Sequence, residues 1–297
     1  MKKIFYIIAL GVGLAGCSNN EDELLSTGSF PEDHVIRIIT EVNEPLSRAG
    51  YDVTNLERFG LMIRNSENAA YNYHKQMVSS RNAWSTSDGQ QMLWDAERTP
   101  VTMIAYAPYM SEAAPDASLV VNALTNQTTE ENVKSSDFLL MKATVDPEQD
   151  LTADGKLKIS LSHAMSKLLI KITVNGTTDA AMNKLGDMSI NGAVVNGICD
   201  LSATVPIVVP APDAVVATVA PYKGTESCEC ILPPQKIAEG FSVNFSYDGK
   251  LYIWTAKEAI ELEKGVEHTL TLNVNTTVRL AAKMARNWAT GQLIDRN

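Results

Sequence analysis

Four cysteines and four histidines are the side chains of this 297-residue chain best suited to covalent or metal chemistry, and their spacing decides what they can do. Cys17 stands apart from the rest. It follows Leu14-Ala15-Gly16, behind an apolar run from Ile4 to Leu14 and a basic start at Lys2 and Lys3. The run is too short to cross a bilayer as a stable helix, so residues 1–16 read as an export signal. Small residues immediately before a cysteine resemble the bacterial lipobox. Signal peptidase II is then expected to leave Cys17 as a diacylated N-terminus.

Cys199, Cys228 and Cys230 are an odd number for an exported chain. Cys228-Glu229-Cys230 is not the C-x-x-C of a redox site, and no histidine lies near it. On a strand its two sulfurs project from one face, so a buried pair of small hydrophobes is expected ahead of a metal site or a disulfide to Cys199. His34, His74, His163 and His268 are scattered, none with a second ligand at metal spacing. Ser162 and His163 are neighbours, but neighbours on a strand point to opposite faces and cannot pair as nucleophile and base. His163 is expected at a strand end in a structural role. No H-E-x-x-H, P-loop, G-x-S-x-G or Gly-rich dinucleotide loop occurs in the mature chain. No catalytic residue, metal or cofactor is therefore expected. Trp84, in the polar stretch Ser80–Ser85, is the best aromatic candidate for an exposed sugar platform; the alternative is a tryptophan folded back on its sheet.

The elements that must position these residues read as strands. Ile36, Ile38 and Val42 share one face, as do Phe59, Leu61 and Ile63, and then Val101, Met103 and Ala105. Leu157, Ile159 and Leu161 alternate with Lys156, Lys158 and Ser160, as in a sheet with one wet face. Leu168, Ile170, Ile172 and Val174 continue the pattern, and Leu270, Leu272 and Val274 repeat it. Phe241–Tyr247 and Lys250–Thr255 flank Asp248-Gly249, a strong hairpin signal because a type I′ turn needs two residues at positive φ. Asp179–Leu185 could form a short helix ending at Gly186. Four prolines in 206–221 suit edge strands and connections only.

Apolar residues make up 45% of the chain and charged residues 20%, which argues against bulk disorder. Loss of residues 1–16 removes two lysines and no acid, taking the formal charge from -10 to about -12, and such a field disfavours nucleic acid and anionic lipid. Residues 17–33 read as a lipidated tether. The turn formers at Asn175–Asp179 suggest a division into 34–176 and 177–297. Short strands with polar turns throughout predict an all-β fold of β-sandwiches.

Several segments together resemble the fimbrillin-like (Mfa-like) family of surface lipoproteins. Met103–Tyr109 resembles its "hydrophobic-x-A-Y-x-P-Y" strand, and Ser136–Met141 its "s-D-l-L" segment. Leu161–Leu168 is similar to "F-x-H-A-l-s-K-L". Ile231–Gln235, Lys264–Leu272 and Trp288 follow in order, over roughly residues 35–290.

The resemblance implies two tandem transthyretin-like β-sandwich domains on a lipoprotein at the outer-membrane surface. Members build type V pili or serve as their anchor and tip subunits, and some stay unpolymerised. In assembling members an arginine-specific protease removes the N-terminal strand, and a strand from a neighbouring subunit fills the groove. Arg48, in the polar connection Asn43–Gly50, matches that processing arginine; Arg37 lies inside the strand pattern and suits it less. The alternating tail Val278, Leu280, Ala282 and Met284 is the matching donor strand. The chain is shorter than typical shaft subunits and ends soon after Trp288, which leaves an anchor, tip or accessory role open. The expected partners are other fimbrial subunits or the chain itself, the membrane through Cys17, and a host or bacterial surface ligand. The competing expectation is a β-sandwich lipoprotein that binds surface glycans and does not polymerise.

Overall fold

The computed structural model describes residues 29–42, 50–52, 54–80, 83–174, 178–179, 181–274, 280–287 and 293–294. Cys17 and Arg48 lie outside these residues, as does Val278.

Six strands come first: β1 (Ile38–Val42), β2 (Arg58–Asn65), β3 (Tyr73–Ser80), β4 (Ala83–Thr86), β5 (Val101–Ala107) and β6 (Ser118–Asn122). Helix α1 (Glu130–Ser135) follows. Thr129 caps it by accepting from the Asn132 N–H at 3.2 Å, and Glu130 and Glu131 in its first turn complement the dipole. Then come β7 (Leu139–Val145), β8 (Leu157–His163) and β9 (Ser166–Val174). One seven-stranded sheet runs β1-β8-β7-β5-β2-β3-β4. Alternation decides which face each residue joins. Leu157, Ile159 and Leu161 of β8 are buried while Lys158 between them is exposed. The central strands β2 and β5 are covered on both faces. Phe59, Leu61, Ile63, Met103 and Ala105 enter a core that Ile36, Ile38, Val42 and the buried residues of β8 complete. Met62, Ile104 and Tyr106 enter the second core on the opposite face.

The rest of the chain supplies β10 (Thr178–Asp179), β11 (Leu185–Val194), β12 (Asn196–Asp200), β13 (Val208–Pro210), β14 (Val216–Val219) and β15 (Tyr222–Lys223). It continues with β16 (Cys228–Leu232), β17 (Gln235–Ile237), β18 (Ser242–Tyr247), β19 (Lys250–Thr255) and β20 (Ile260–Leu262). Last are β21 (Val266–Asn273), β22 (Leu280–Asn287) and β23 (Leu293–Ile294). A second seven-stranded sheet runs β15-β16-β9-β21-β22-β23, with β10 beside β9. It faces the four-stranded sheet β14-β11-β18-β19 across the second core, where Ile170, Ile172, Leu270 and Leu272 meet Ile190, Val243, Phe245 and Trp254. A three-stranded sheet, β13-β12-β6, ties the early strand β6 to the later half.

The all-β fold of packed sheets is as expected; Pro210 ends β13, a sheet edge, and Pro206, Pro212 and Pro221 lie in the connections beside β13 and β14. The hairpin turns at Asp248 and Gly249, whose φ values are +50° and +75°, with Tyr247 opposite Lys250. The chain changes sheets between β8 and β9, at Ala164 and Met165, and β9 ends at Val174. One detail differs from the sequence reading. The expected helix over Asp179–Leu185 is a single 3-10 turn at Met182–Lys184, and Gly186 already belongs to β11, where Ser246 of β18 leaves no room for a side chain.

Candidate functional site

The candidate site is β1 and the seam beside it. Among the described residues β1 pairs on one side only, parallel to β8, with Ile38 opposite Leu157 and Val42 opposite Leu161. Its other edge faces β4, the far end of the same sheet. The sheet curls until these two ends meet. There the Trp84 indole N–H donates to Thr40 Oγ1 at 3.0 Å, and the ring packs edge-on against Phe59 with centroids 4.7 Å apart. Between the two ends lies an open, mainly apolar cleft of about 500 Å³, lined by Ile36, Ile38, Met77, Trp84 and Met92 with Lys156 among its polar residues. Trp84 is half-buried and committed to β1 and Phe59, so it closes the seam and does not stand out as a bare platform.

Polar contacts hold β1 from both ends. Upstream, the Ile36 N–H donates to Met92 O at 2.9 Å and the Trp94 N–H to His34 O at 2.8 Å. Arg37 binds Asp33 at 2.6 Å and holds that carboxyl down at about 2. On β1 itself, the Ser160 hydroxyl donates to the Glu41 carboxylate, and Lys158 Nζ stands 2.9 Å away. The hydroxyl first, and then the ammonium, hold the Glu41 carboxyl below its usual range.

Just after 43–49, which includes Arg48, polar contacts hold the chain at Tyr51 and Asn55. The Tyr51 N–H donates to Asp137 Oδ2 at 3.0 Å, and the same oxygen meets His163 Nδ1 at 2.9 Å. Lys134 of α1 donates to Asn55 O at 2.9 Å and lies over the Tyr51 ring. Burial, and next the Asp137 charge, push the Tyr51 phenol up to about 12. His163 is thus a buried structural residue at the end of β8, as expected. Its partner Asp137 was not visible in advance, although both residues fall in segments singled out above.

The tail residues Leu280, Ala282 and Met284 lie on β22, which pairs antiparallel with β21 of the same chain, Leu272 opposite Leu280 and Val266 opposite Asn287. The three later cysteines are free and buried, and burial raises their thiols, Cys199 to about 11 and Cys228 to about 12. Among the described residues no cluster of metal-binding side chains occurs. No described helix is long and apolar enough to cross a membrane.

Solved structures share this fold. A candidate cell adhesion protein from Bacteroides uniformis superposes with a TM-score of 0.63 at 16% identity, covering 87% of this chain and 99% of its own. One from Bacteroides ovatus gives 0.63 at 17% identity, covering 86% of this chain and 97% of its own. The tip fimbrial protein Mfa3 from Porphyromonas gingivalis gives 0.50 at 9% identity, covering 85% of this chain and 99% of its own. No curated protein matches the chain in sequence. The profile of one family, described as fimbrillin-like, matches residues 47–287, most of the length, and by that match the chain belongs to the fimbrillin-like family.

Proposed function

We propose that this protein is a structural or adhesive subunit of a cell-surface fimbria (shaft, anchor or tip), assembled by strand exchange after proteolysis removes its first strand. The observation that carries the reading is the position of β1. It buries Ile38 and Val42 in the core, with Ile36 just before it, yet it ends its sheet, and among the described residues its only strand pairing is with β8. A strand so placed can leave without breaking the sheet in two, and its departure bares an apolar groove and the open edge of β8. Such an edge is a template for another chain's strand.

In this reading cleavage after Arg48 frees residues 17–48, while Tyr51 stays tied to Asp137. The incoming strand is the tail Val278, Leu280, Ala282 and Met284 of a neighbouring subunit, which must first leave β21 of its own chain. Lipid on Cys17 holds the unassembled subunit at the outer membrane, and the two sandwiches are of transthyretin-like type, 34–176 and 177–297. Family membership and the fimbrial and adhesive proteins of the same fold support this reading. Limited digestion with an arginine-specific protease, followed by size-exclusion chromatography, tests it. Wild type is expected to be cut after Arg48 and to form oligomers, and Arg48→Ala to resist both. A chain cut after Arg48 that still elutes as a monomer overturns strand exchange at this groove.

A further inference from the structure

Lys167 lies on β9, the strand between β16 and β21 in the second sheet. Its neighbour across β16 is Ile231 and its neighbour across β21 is Glu267. Glu229 is two residues from Ile231, so Lys167, Glu229 and Glu267 share one face of three adjacent strands. That face is closed to water: Lys167 is 0% exposed, Glu267 5% and Glu229 6%. Lys167 Nζ stands 2.8 Å from Glu229 Oε2.

A buried ammonium and carboxylate are costly to keep out of water, and replacing such a pair by a neutral group of similar size relieves that cost. Here the two groups are also held in contact, Nζ against Oε2, by paired neighbouring strands, which lowers the entropic barrier to joining them. We propose that Lys167 and Glu229 condense to an amide, a covalent clip between β9 and β16. The ammonium proton passes along the existing N–H···O contact to Oε2, leaving a neutral amine beside a neutral acid. The Nζ lone pair attacks Cδ and forms the C–N bond. The C–OH bond then breaks, and its hydroxyl takes up a proton released from Nζ and leaves as water. Glu267, opposite Lys167 and equally closed off, relays that proton. Ammonium plus carboxylate give one secondary amide and one water, with no oxidant, reductant or cofactor. The clip closes residues 167–229 into a covalent loop, so the centre of the second sheet cannot come apart while β1 and the tail are exchanged.

Peptide mapping of the purified full-length wild type by mass spectrometry tests this directly, without dependence on any variant folding. The expected product is a branched peptide joining Lys167 to Glu229, lighter by one water than its two linear components. Intact masses of wild type and Lys167→Arg should differ by the substitution plus that same water, whatever lipid both carry. Recovery of these segments only as linear peptides overturns the proposal. Glu267→Gln should lower the linked fraction at least tenfold; a fraction equal to wild type overturns the relay.

Discussion

His163 Nδ1 and Asp137 Oδ2 meet at 2.9 Å with neither side chain reaching solvent, and the same carboxylate oxygen takes the Tyr51 N–H. One carboxylate therefore joins the end of β8, the approach to β7 and the chain just after 43–49. Asp137→Ala removes the acceptor from two buried donors, and we expect a loss of about 2–4 kcal/mol in urea unfolding, the penalty of leaving such groups without a partner. The Tyr51 amide should exchange faster in the same variant. A loss under about 0.5 kcal/mol would mean that the three elements are held elsewhere.

Trp84→Ala is predicted to open the seam. The half-buried ring contributes less than a fully buried one, so about 2 kcal/mol is expected from lost packing on Phe59 and the lost bond to Thr40. Trp84→Phe keeps the packing and should cost about 1 kcal/mol, the worth of the hydrogen bond. Hydrogen exchange at Thr40 and Glu41 separates this local loosening from global unfolding.

Glu41 makes the seating of β1 sensitive to acid. The Ser160 hydroxyl and then the Lys158 ammonium hold its carboxyl below the ordinary glutamate range in the folded chain, so the charged form is favoured by folding. That contribution is present in full at neutral pH and is lost as pH falls through the lowered folded value. Amides of β1 should thus exchange faster, relative to β5, below about pH 4. Glu41→Gln should remove most of the difference between neutral and acidic pH. Equal acid sensitivity in that variant would assign the effect to other carboxylates.

The late hairpin gives a test of the second core. Phe245 is buried and stacks on Tyr252 with centroids 5.4 Å apart, and Phe245→Ala is expected to cost about 3–5 kcal/mol. Gly249 has φ of +75° with open space around it, so Gly249→Val is disfavoured by backbone strain and not by a clash, at about 1–3 kcal/mol. Thermal or urea unfolding should rank the two in that order.

Gly60 is the opposite case. It sits across from Tyr106, whose ring occupies the place where a Cβ would go, while the Tyr106 hydroxyl donates to Met110 O at 2.8 Å. Gly60→Ala should displace that ring and destabilise by about 1–3 kcal/mol, the usual range for overpacking a core.

Much of this fold was legible because a strand with one wet face announces itself residue by residue. The Leu157–Leu161 alternation and the Asp248-Gly249 turn are local signals, and both elements form as read. Partner choice is not local. Nothing in Ile36, Ile38 and Val42 says that their strand will pair parallel to β8, more than a hundred residues downstream, or that Asp137 will meet His163. Trp84 shows the cost of reading neighbours instead of alternation. Its flanks Ala83 and Ser85 are exposed because they face outward on an edge strand, while Trp84 and the buried Thr86 face inward. The site was therefore half visible: its strand could be read from sequence, and its seam could not.

The parallel pairing of β1 with β8 also fixes how the molecule bears tension. A pull on the N-terminal segment enters β1 at Ile38, beside Leu157, and leaves β8 past Leu161, where the chain crosses to the second sheet. Load thus arrives and departs at opposite ends of the pair, along the strand axes. The hydrogen bonds between them are sheared together instead of being peeled one after another, so an intact first strand works as a lap joint that grips harder than its five residues suggest.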